Sequence, residues 1–258
     1  MNTVKISIEM LSYNRADYIV QAIESVLKQT FQDWELLIVD GGSTDKTDNI
    51  VNEYAAKDNR IVYIKKDRNF SISQCRNIGL RTGKGKYMAV LDSDDVWTDS
   101  DKLQKQFNFL EEKSKDGYVL VGGGVIVIDK DSKETSRYLN PADDAVIRKN
   151  ILLRNPFAHS AVMFNREKAL SAGGYGEWII IGEEYDLWMR MGQSGKMHNL
   201  PEYLIAYRVH STGACVADRL GGASDTMKII KRYKNNYPNY LLAYWKRKIK
   251  HIFYSIVK

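Results

Sequence analysis

From Val4 to Asp95 the chain alternates short apolar runs with amphipathic stretches, and this constrains its fold more than any other feature. Such a pattern is buried by βαβ units around a parallel sheet. Val4–Leu11 is the first strand candidate, after which Tyr18, Ile19, Ala22, Ile23, Val26 and Leu27 recur at helical spacing. Trp34–Val39 supplies a second strand. Ser43 or Thr44 can cap a helix whose apolar face is Ile50, Val51 and Tyr54. Ile61–Ile64 reads as a third strand; Ile72, Cys75, Ile78 and Gly79 mark a third helix; Tyr87–Leu91 is the fourth strand.

The segments at the C-terminal ends of these strands bear on function. Ser12-Tyr13-Asn14-Arg15 comes after the first, Asp40-Gly41-Gly42-Ser43-Thr44-Asp45 after the second and Asp92-Ser93-Asp94-Asp95 after the fourth. In a parallel sheet all three clusters lie on one edge, where open α/β sheets bind ligands. Clustered carboxylates repel unless a cation or protons neutralise them, and a hard divalent ion carrying phosphates is a suitable neutraliser. Read alone, each cluster has a plainer meaning. Asp92–Asp95 can be an acidic loop before a cap at Ser100 or Asp101, and Asp40 with Ser43 can be a turn.

Beyond Asp95, Leu103, Phe107 and Leu110 suggest a helix, and Val119–Ile128 a strand made permissive by Gly122-Gly123-Gly124. Lys130–Asn140 reads as a polar connection and Ala161–Phe164 as another short strand. Gly173-Gly174 stops a helix over Arg166–Ala172. Glu184–Met191 is helical and Tyr203–Val209 extended. The chain divides into residues 1–217, with halves at about 1–98 and 99–217, and a helical tail over 218–258.

The longest apolar stretch, Val119–Ile128, is far short of the ~20 residues a membrane-spanning helix needs. Lys5 precedes no signal-type apolar segment. Cys75 and Cys215 have no metal-ligand spacing, so a reducing cytoplasm is expected. The net charge of +6 is uneven: after Asp225 there is no acid, and nine lysines and arginines follow, leaving residues 1–225 at −3. Ile229, Ile230, Leu241, Leu242, Trp245, Ile249, Ile252, Phe253, Ile256 and Val257 lie among those cations, with Tyr237-Pro238 as a break. That pattern fits a membrane-surface helix or a helix docked on the domain with a solvated charged face.

Two phosphate motifs fail. Gly79–Lys84 is one residue short of a P-loop and is followed by Gly85, and no Gly-x-Gly-x-x-Gly follows the first strand.

Taken together, the three strand-end clusters, Asn69 with Arg76-Asn77, and Glu183-Glu184-Tyr185-Asp186-Leu187-Trp188 resemble the family 2 glycosyltransferases of GT-A fold over about residues 4–210. The resemblance implies an α/β fold with a mainly parallel nucleotide-binding sheet flanked by helices, here with a C-terminal helical extension. It implies an inverting transfer of a sugar from a nucleoside diphosphate, UDP being the expected nucleotide, with Mn²⁺ or Mg²⁺. The acceptor would be a hydroxyl of a saccharide, free or lipid-linked, in cell-surface polysaccharide synthesis.

The same resemblance assigns roles. Ser12, Tyr13, Asn14, Arg15 and Asp40 would hold base and ribose, with Tyr13 stacking on the base and Asp40 accepting from a base N–H. Asn69, Arg76 and Asn77 would lie near the diphosphate, as a guanidinium suits phosphate oxygens. Asp92, Ser93 and Asp94 match the Asp-x-Asp that meets ribose and metal, and Tyr207-Arg208-Val209-His210 the closing segment, with His210 a further metal ligand. Glu184 would be the general base beside Glu183, where relatives usually have Glu-Asp; Gly41 stands where many have a second aspartate. Trp178, His159 and Trp188 are candidates for the acceptor site, although the helical spacing of Trp188 with Leu187 and Met191 favours core packing for it.

Two competing functions share these residues. Val90-Leu91-Asp92-Ser93-Asp94 also resembles the nucleophile loop of haloacid-dehalogenase-type phosphatases, with Asp92 attacking phosphorus. A non-catalytic sugar-nucleotide binder would need the carboxylates to be incidental. Nucleic acid is not an expected partner.

Overall fold

A computed structural model describes residues 4–66, 70–211, 213 and 219–256. Its centre is a nine-stranded sheet of order β3-β2-β1-β4-β8-β6-β9-β5, with β7 beside β6. The parallel half comprises β1 (Ile6–Ser12), β2 (Trp34–Asp40), β3 (Ile61–Lys65) and β4 (Tyr87–Val90). β2 is buried at every position, as expected of a parallel strand covered on both faces. The register pairs Ser12 with Asp40 at the shared end of β1 and β2, so the first two polar clusters do leave the sheet side by side.

Helices α1 (Ile19–Leu27), α2 (Thr47–Lys57) and α3 (Ile72–Thr82) connect these strands. Of these three, α3 alone has a complete capping box: Ser71 Oγ accepts from Gln74 N, and the Gln74 side chain accepts from Ser71 N. Neither Ser43 nor Thr44 caps α2. Asp45 does the nearby work by accepting from Thr47 N at 3.0 Å, while Ser43 turns back toward Asp40.

The second half extends the sheet through β5 (Val96–Trp97), α4 (Lys102–Lys113), β6 (Tyr118–Ile128), β7 (Glu134–Tyr138), α5 (Asp144–Asn150), β8 (Met163–Asn165), α6 (Arg166–Ser171), α7 (Glu183–Ser194) and β9 (Lys196–Arg208). β8 runs antiparallel between β4 and β6, while β9 is parallel to β6. Lys130–Asn140 is therefore more than a connection, since it contains β7. That strand is exposed at every position, so it has no apolar alternation to betray it. β9 begins seven residues earlier than Tyr203. Its register against β6 jumps between Asn199 and Tyr203, where Pro201 lies, and proline in a strand is tolerated at such irregularities. Close approach explains the glycine run opposite: a Cβ on Gly124 would fall 2.9 Å from the Glu202 carbonyl.

β4 separates two cores by simple alternation. Tyr87, Ala89 and Leu91 face a cluster with α1, α2 and α4, whereas Met88 and Val90 face one with α6, α7 and the C-terminal helices. Those last helices, α8 (Arg219–Arg232) and α9 (Tyr240–Ile256), flank the expected break at Pro238. They are docked: Ile229, Ile230, Tyr233, Tyr237 and Ala243 join the α7 core, and Tyr233 Oη donates to Asp186 at 2.7 Å. Among the described residues, no helix is long and apolar enough to cross a membrane.

Candidate active site

The site begins where β1 and β2 end. Asn14 has a left-handed backbone (φ 51°), which turns the chain so that its N–H donates to Ser43 Oγ at 2.8 Å and its Oδ1 accepts from Thr44 N at 2.8 Å. Arg15 N donates to Thr47 Oγ1 and Ala16 N to Asp45. Both post-strand loops are thereby laced into one rim.

Asp40 holds that rim from beneath. Its carboxylate is fully buried, with Oδ1 accepting from Gly42 N and Ser43 N, and Oδ2 from Ser43 Oγ at 2.6 Å. This corrects the expectation of a free acceptor for a base N–H, because both oxygens serve the loop. Ser12 is likewise buried at the strand end. Tyr13 is 53% exposed above them and presents an open ring face. A Cβ at Gly41 would have neighbours no closer than 3.8 Å, so its glycine leaves a recess beside Tyr13.

The loop after β4 forms the middle of the site. Asp95 anchors it: Ser160 Oγ donates to its Oδ2 at 2.5 Å and Arg208 N to its Oδ1 at 2.8 Å. Burial, with the charges of Asp94 and Asp92, pushes Asp95 well above the usual carboxylate range. Arg208 is buried and its Nε donates to the Asp94 carbonyl, so it braces the loop and does not face the rim. Ser93 is buried. Asp94 turns toward the rim, where Oδ2 accepts from Arg15 Nε at 3.0 Å and lies 3.0 Å from His210 Nε2. Tyr18 packs on the His210 ring with centroids 4.9 Å apart.

Asp92 turns the other way, into a buried ion-pair network. Arg76 NH2 donates to Asp92 Oδ1 at 2.5 Å, NH1 lies 3.4 Å from Glu9 Oε1 and Nε lies 3.6 Å from Glu183 Oε1. Arg76 is thus neither a solvated helix-face cation nor open at the rim; its guanidinium sits among three carboxylates. Burial works against the Asp92 charge, but the groups around it, Arg76 foremost, together hold the carboxyl below the usual range. At Glu9 burial outweighs the Arg76 charge and pushes the carboxyl up to about 7. His159 lies 3.8 Å from Asp92 and 3.0 Å from the Tyr175 hydroxyl. Burial and the Arg76 charge lower it to about 3, so its ring is neutral at physiological pH.

At the far side, Gly182 has φ 93° and turns the chain into α7, whose first residues are Glu183 and Glu184. Glu184 Oε1 accepts from Asn155 Nδ2 at 3.1 Å. Burial, then the Glu183 charge, push Glu184 up to about 8. A carboxyl with this affinity for a proton is suited to accept one from a hydroxyl.

The acceptor candidates separate. Trp178 is 41% exposed with the Arg232 guanidinium 4.8 Å over its ring. Trp188 leaves the acceptor set for the core, as its spacing favoured, being fully buried and packed edge-on against Phe157 and Phe164. Asn69 lies outside the described residues. Sequence reasoning missed Glu9 and Asn155. Of these only Glu9 left a signal, as a lone acid inside an apolar strand, which must be paired or protonated when buried.

Asp94 and His210 converge as a candidate metal pair, and among the described residues no group of three or more metal-binding side chains occurs. Two protein ligands fit an ion that arrives with substrate phosphates, since Mg²⁺-type sites commonly use one or two carboxylates plus phosphate oxygens.

The sequence matches the family described as Glycosyl transferase family 2 over residues 7–174. It is 30% identical over 213 residues to an uncharacterized glycosyltransferase of Methanocaldococcus jannaschii, covering 81% of this chain and 72% of that protein. It is 42% identical over 109 residues to a putative teichuronic acid biosynthesis glycosyltransferase of Bacillus subtilis, covering 42% and 43%. Among solved structures it superposes on S. aureus TarS 1-349 in complex with UDP-GlcNAc with TM-score 0.72 at 17% identity, covering 94% of this chain and 72% of that one. A mannosyltransferase of Pyrobaculum calidifontis in complex with GDP-Man and Mn²⁺ gives TM-score 0.69 at 15% identity, covering 95% and 73%. At these identities the structural likeness speaks for the fold.

Proposed function

The chain belongs to glycosyl transferase family 2 and has the GT-A-like fold of its structural neighbours, and from that premise we propose that it transfers a sugar, with inversion, from a uridine diphosphate donor to a saccharide hydroxyl. The observation that carries this reading is the joining of two networks at one loop. Tyr13, Arg15, Asp94 and His210 lie on the rim side of Asp92–Asp95, and Arg76 ties Asp92 to Glu183, the neighbour of Glu184. Family membership sets aside the phosphatase and the non-catalytic binder.

In this reading the base stacks on Tyr13 above the Asp40-organised loop, and Arg15 faces the donor phosphates. Asp94 and His210 would hold Mn²⁺ or Mg²⁺, and such an ion when bound would neutralise charge on the departing diphosphate. Glu184 removes the acceptor's proton as its oxygen attacks the anomeric carbon opposite the leaving group. The UDP-GlcNAc of one structural neighbour and the Mn²⁺ of another support donor and metal class. The teichuronic acid relative supports a polysaccharide acceptor.

The testing experiment is a thermal-shift screen of nucleoside diphosphate sugars with and without Mn²⁺, on the native chain and on Asp94→Asn. Ligand at about 100 times its Kd raises stability by about 2.7 kcal/mol. The native chain should show a Mn²⁺-dependent shift with a UDP-sugar, and Asp94→Asn should lose the Mn²⁺-dependent part. An equal metal-dependent shift in both would remove Asp94 as a ligand.

Transfer should also depend on pH in a definite direction. Glu184 acts as a base only when ionised, and its pKa is raised to about 8. The rate constant kcat should therefore rise with pH up to and through about 8, and then level off. A kcat that is flat from pH 6 to 9 counts against Glu184.

α9 carries the proposal of membrane-surface association. Leu241, Leu242, Trp245, Ile249, Ile252 and Phe253 are each between 48% and 71% exposed, among Lys246, Lys248 and Lys250. Docking of the opposite face leaves this stripe to seek an apolar partner, and cations beside it favour anionic lipid at ~1 kcal/mol each. Burying a large apolar side chain contributes about 1.5–3 kcal/mol. The double variant Trp245→Glu, Ile249→Glu should thus partition into phosphatidylglycerol-containing vesicles more than about tenfold less. Unchanged sedimentation with vesicles would refute the surface role.

A further inference from the structure

α8 meets the segment that leads into α7 at three places. Asp225, the last acid of the chain, is buried, and its Oδ2 accepts from Ile180 N at 3.0 Å and from Ile181 N at 3.2 Å. Ile229 lies beneath the next residue, where a Cβ on Gly182 would meet its Cδ1 at 3.4 Å. Tyr233 donates its hydroxyl to Asp186 in the first turn of α7. The other end of the segment is held by α3. Asn77 Oδ1 accepts from Tyr175 N and its Nδ2 donates to the Tyr175 carbonyl, both at 2.8 Å, while Ser73 Oγ donates to the Gly176 carbonyl at 3.0 Å.

Between these anchors the segment has little packing of its own to place it. Ile179 is buried in the core, but Ile180 is 75% exposed and Trp178 is partly exposed. An irregular segment lacks the repeating ladder of a helix or sheet and has to find backbone partners one by one. At residues 180 and 181 that partner is Asp225, and an ionised acceptor binds an N–H roughly twice as strongly as a neutral one. Glu184 stands three residues after Ile181, across the left-handed turn at Gly182. The entry of α7, and with it the Glu184 backbone, therefore follows from where those two peptides are held. Asp225 also lies beyond residues 7–174, the part that matches the family, so family membership gives it no role.

We infer that Asp225 is a positioning residue for transfer: by holding the backbone of Ile180 and Ile181 it sets where the Glu184 carboxylate meets the acceptor hydroxyl. The inference rests on the proposed role of Glu184. It makes α8 part of the apparatus of transfer, with Asp225 acting through the loop and not on the reacting atoms.

The test compares the full native chain with Asp225→Ala, Asp225→Asn and Lys228→Ala. Alanine removes both the charge and the acceptor oxygen. Asparagine keeps an oxygen able to accept from both N–H groups. Lys228→Ala removes the other partner of the carboxylate, an exposed lysine 2.7 Å from Oδ1 whose ion pair contributes little. Well below the unfolding midpoint, three quantities are measured: Kd for the UDP-sugar selected by thermal shift with Mn²⁺, the single-turnover rate of UDP release, and amide hydrogen exchange over residues 180–184. For Asp225→Ala we expect native donor affinity, faster exchange and a rate at least about tenfold lower, since ~1 Å of misplacement can cost 10²-fold. Asp225→Asn should recover most of the rate, and Lys228→Ala should match the native chain. A purely structural Asp225 would lower the urea midpoint of Asp225→Ala yet leave the rate of the folded chain unchanged, and that result overturns the inference. An asparagine variant as slow as the alanine one overturns it too. Failure of the base assignment shows separately: a fully active Glu184→Gln beside a slow Asp225→Ala moves the base and keeps Asp225 as the positioning group.

Discussion

Glu184→Gln is expected to lower kcat by about 10²–10⁴-fold, the range that general-base catalysis contributes, while donor binding stays at the native level. Glutamine keeps the length of the side chain and an oxygen that can accept from Asn155 Nδ2, so the local hydrogen bond survives. What disappears is the ability to take a proton. The same substitution should not weaken the fold. Burial and Glu183 raise the Glu184 pKa to about 8, above its unfolded value. The folded chain therefore holds a proton that the unfolded chain has released, and stability falls as pH rises through about 8. A neutral glutamine escapes that loss, so the variant should be at least as stable as the native chain at pH 9. Single-turnover transfer together with urea unfolding would measure both. An active variant would move the base to Glu183 or elsewhere.

Arg76→Met should be the most destabilising single change in the site, costing about 3–5 kcal/mol, because it strands buried carboxylates without their cation. Methionine roughly preserves volume, which separates loss of charge from loss of packing. The pH dependence then identifies the cause. Without Arg76, Glu9, Asp92 and Glu183 lose the cation that opposes burial, and their folded pKa values climb, that of Asp92 from below its unfolded value and those of Glu9 and Glu183 further above theirs near 4. Such groups cost little below the unfolded pKa, where both states are protonated, and progressively more as pH rises. The deficit relative to the native chain should be larger at pH 8 than at pH 5 in urea denaturation. An equal deficit at both values would assign the loss to packing. Activity should fall as well, since Arg76 links the Asp92 loop to the start of α7.

Much of this site is legible in the sequence. Strand-end clusters at Ser12–Arg15, Asp40–Asp45 and Asp92–Asp95 have to share an edge once three βα units are recognised, and the register of Ser12 with Asp40 agrees. Less legible is the direction in which each side chain turns. Asp40 and Asp94 both follow apolar strands, yet one is sealed by Gly42 N, Ser43 N and Ser43 Oγ while the other reaches Arg15 and His210. Trp188 sits at a spacing that favours a core, but the neighbours that build that core, Phe157 and Phe164, come from segments far away in the chain. β7 and Glu9 escape for opposite reasons: one has no apolar residues facing a core, the other is a charge where only apolar residues were expected.

The sequence by itself determined the layered βα order, the edge at which polar chemistry gathers and the family, because periodicity and strand-end composition are local properties of the chain. Tertiary structure alone decided that Arg76 joins Glu9, Asp92 and Glu183, that Asp40 builds the rim, and that the basic tail docks against α7. Those outcomes depend on contacts between residues tens of positions apart. There burial and Coulomb interaction, which no local pattern encodes, fix the charge and direction of each group.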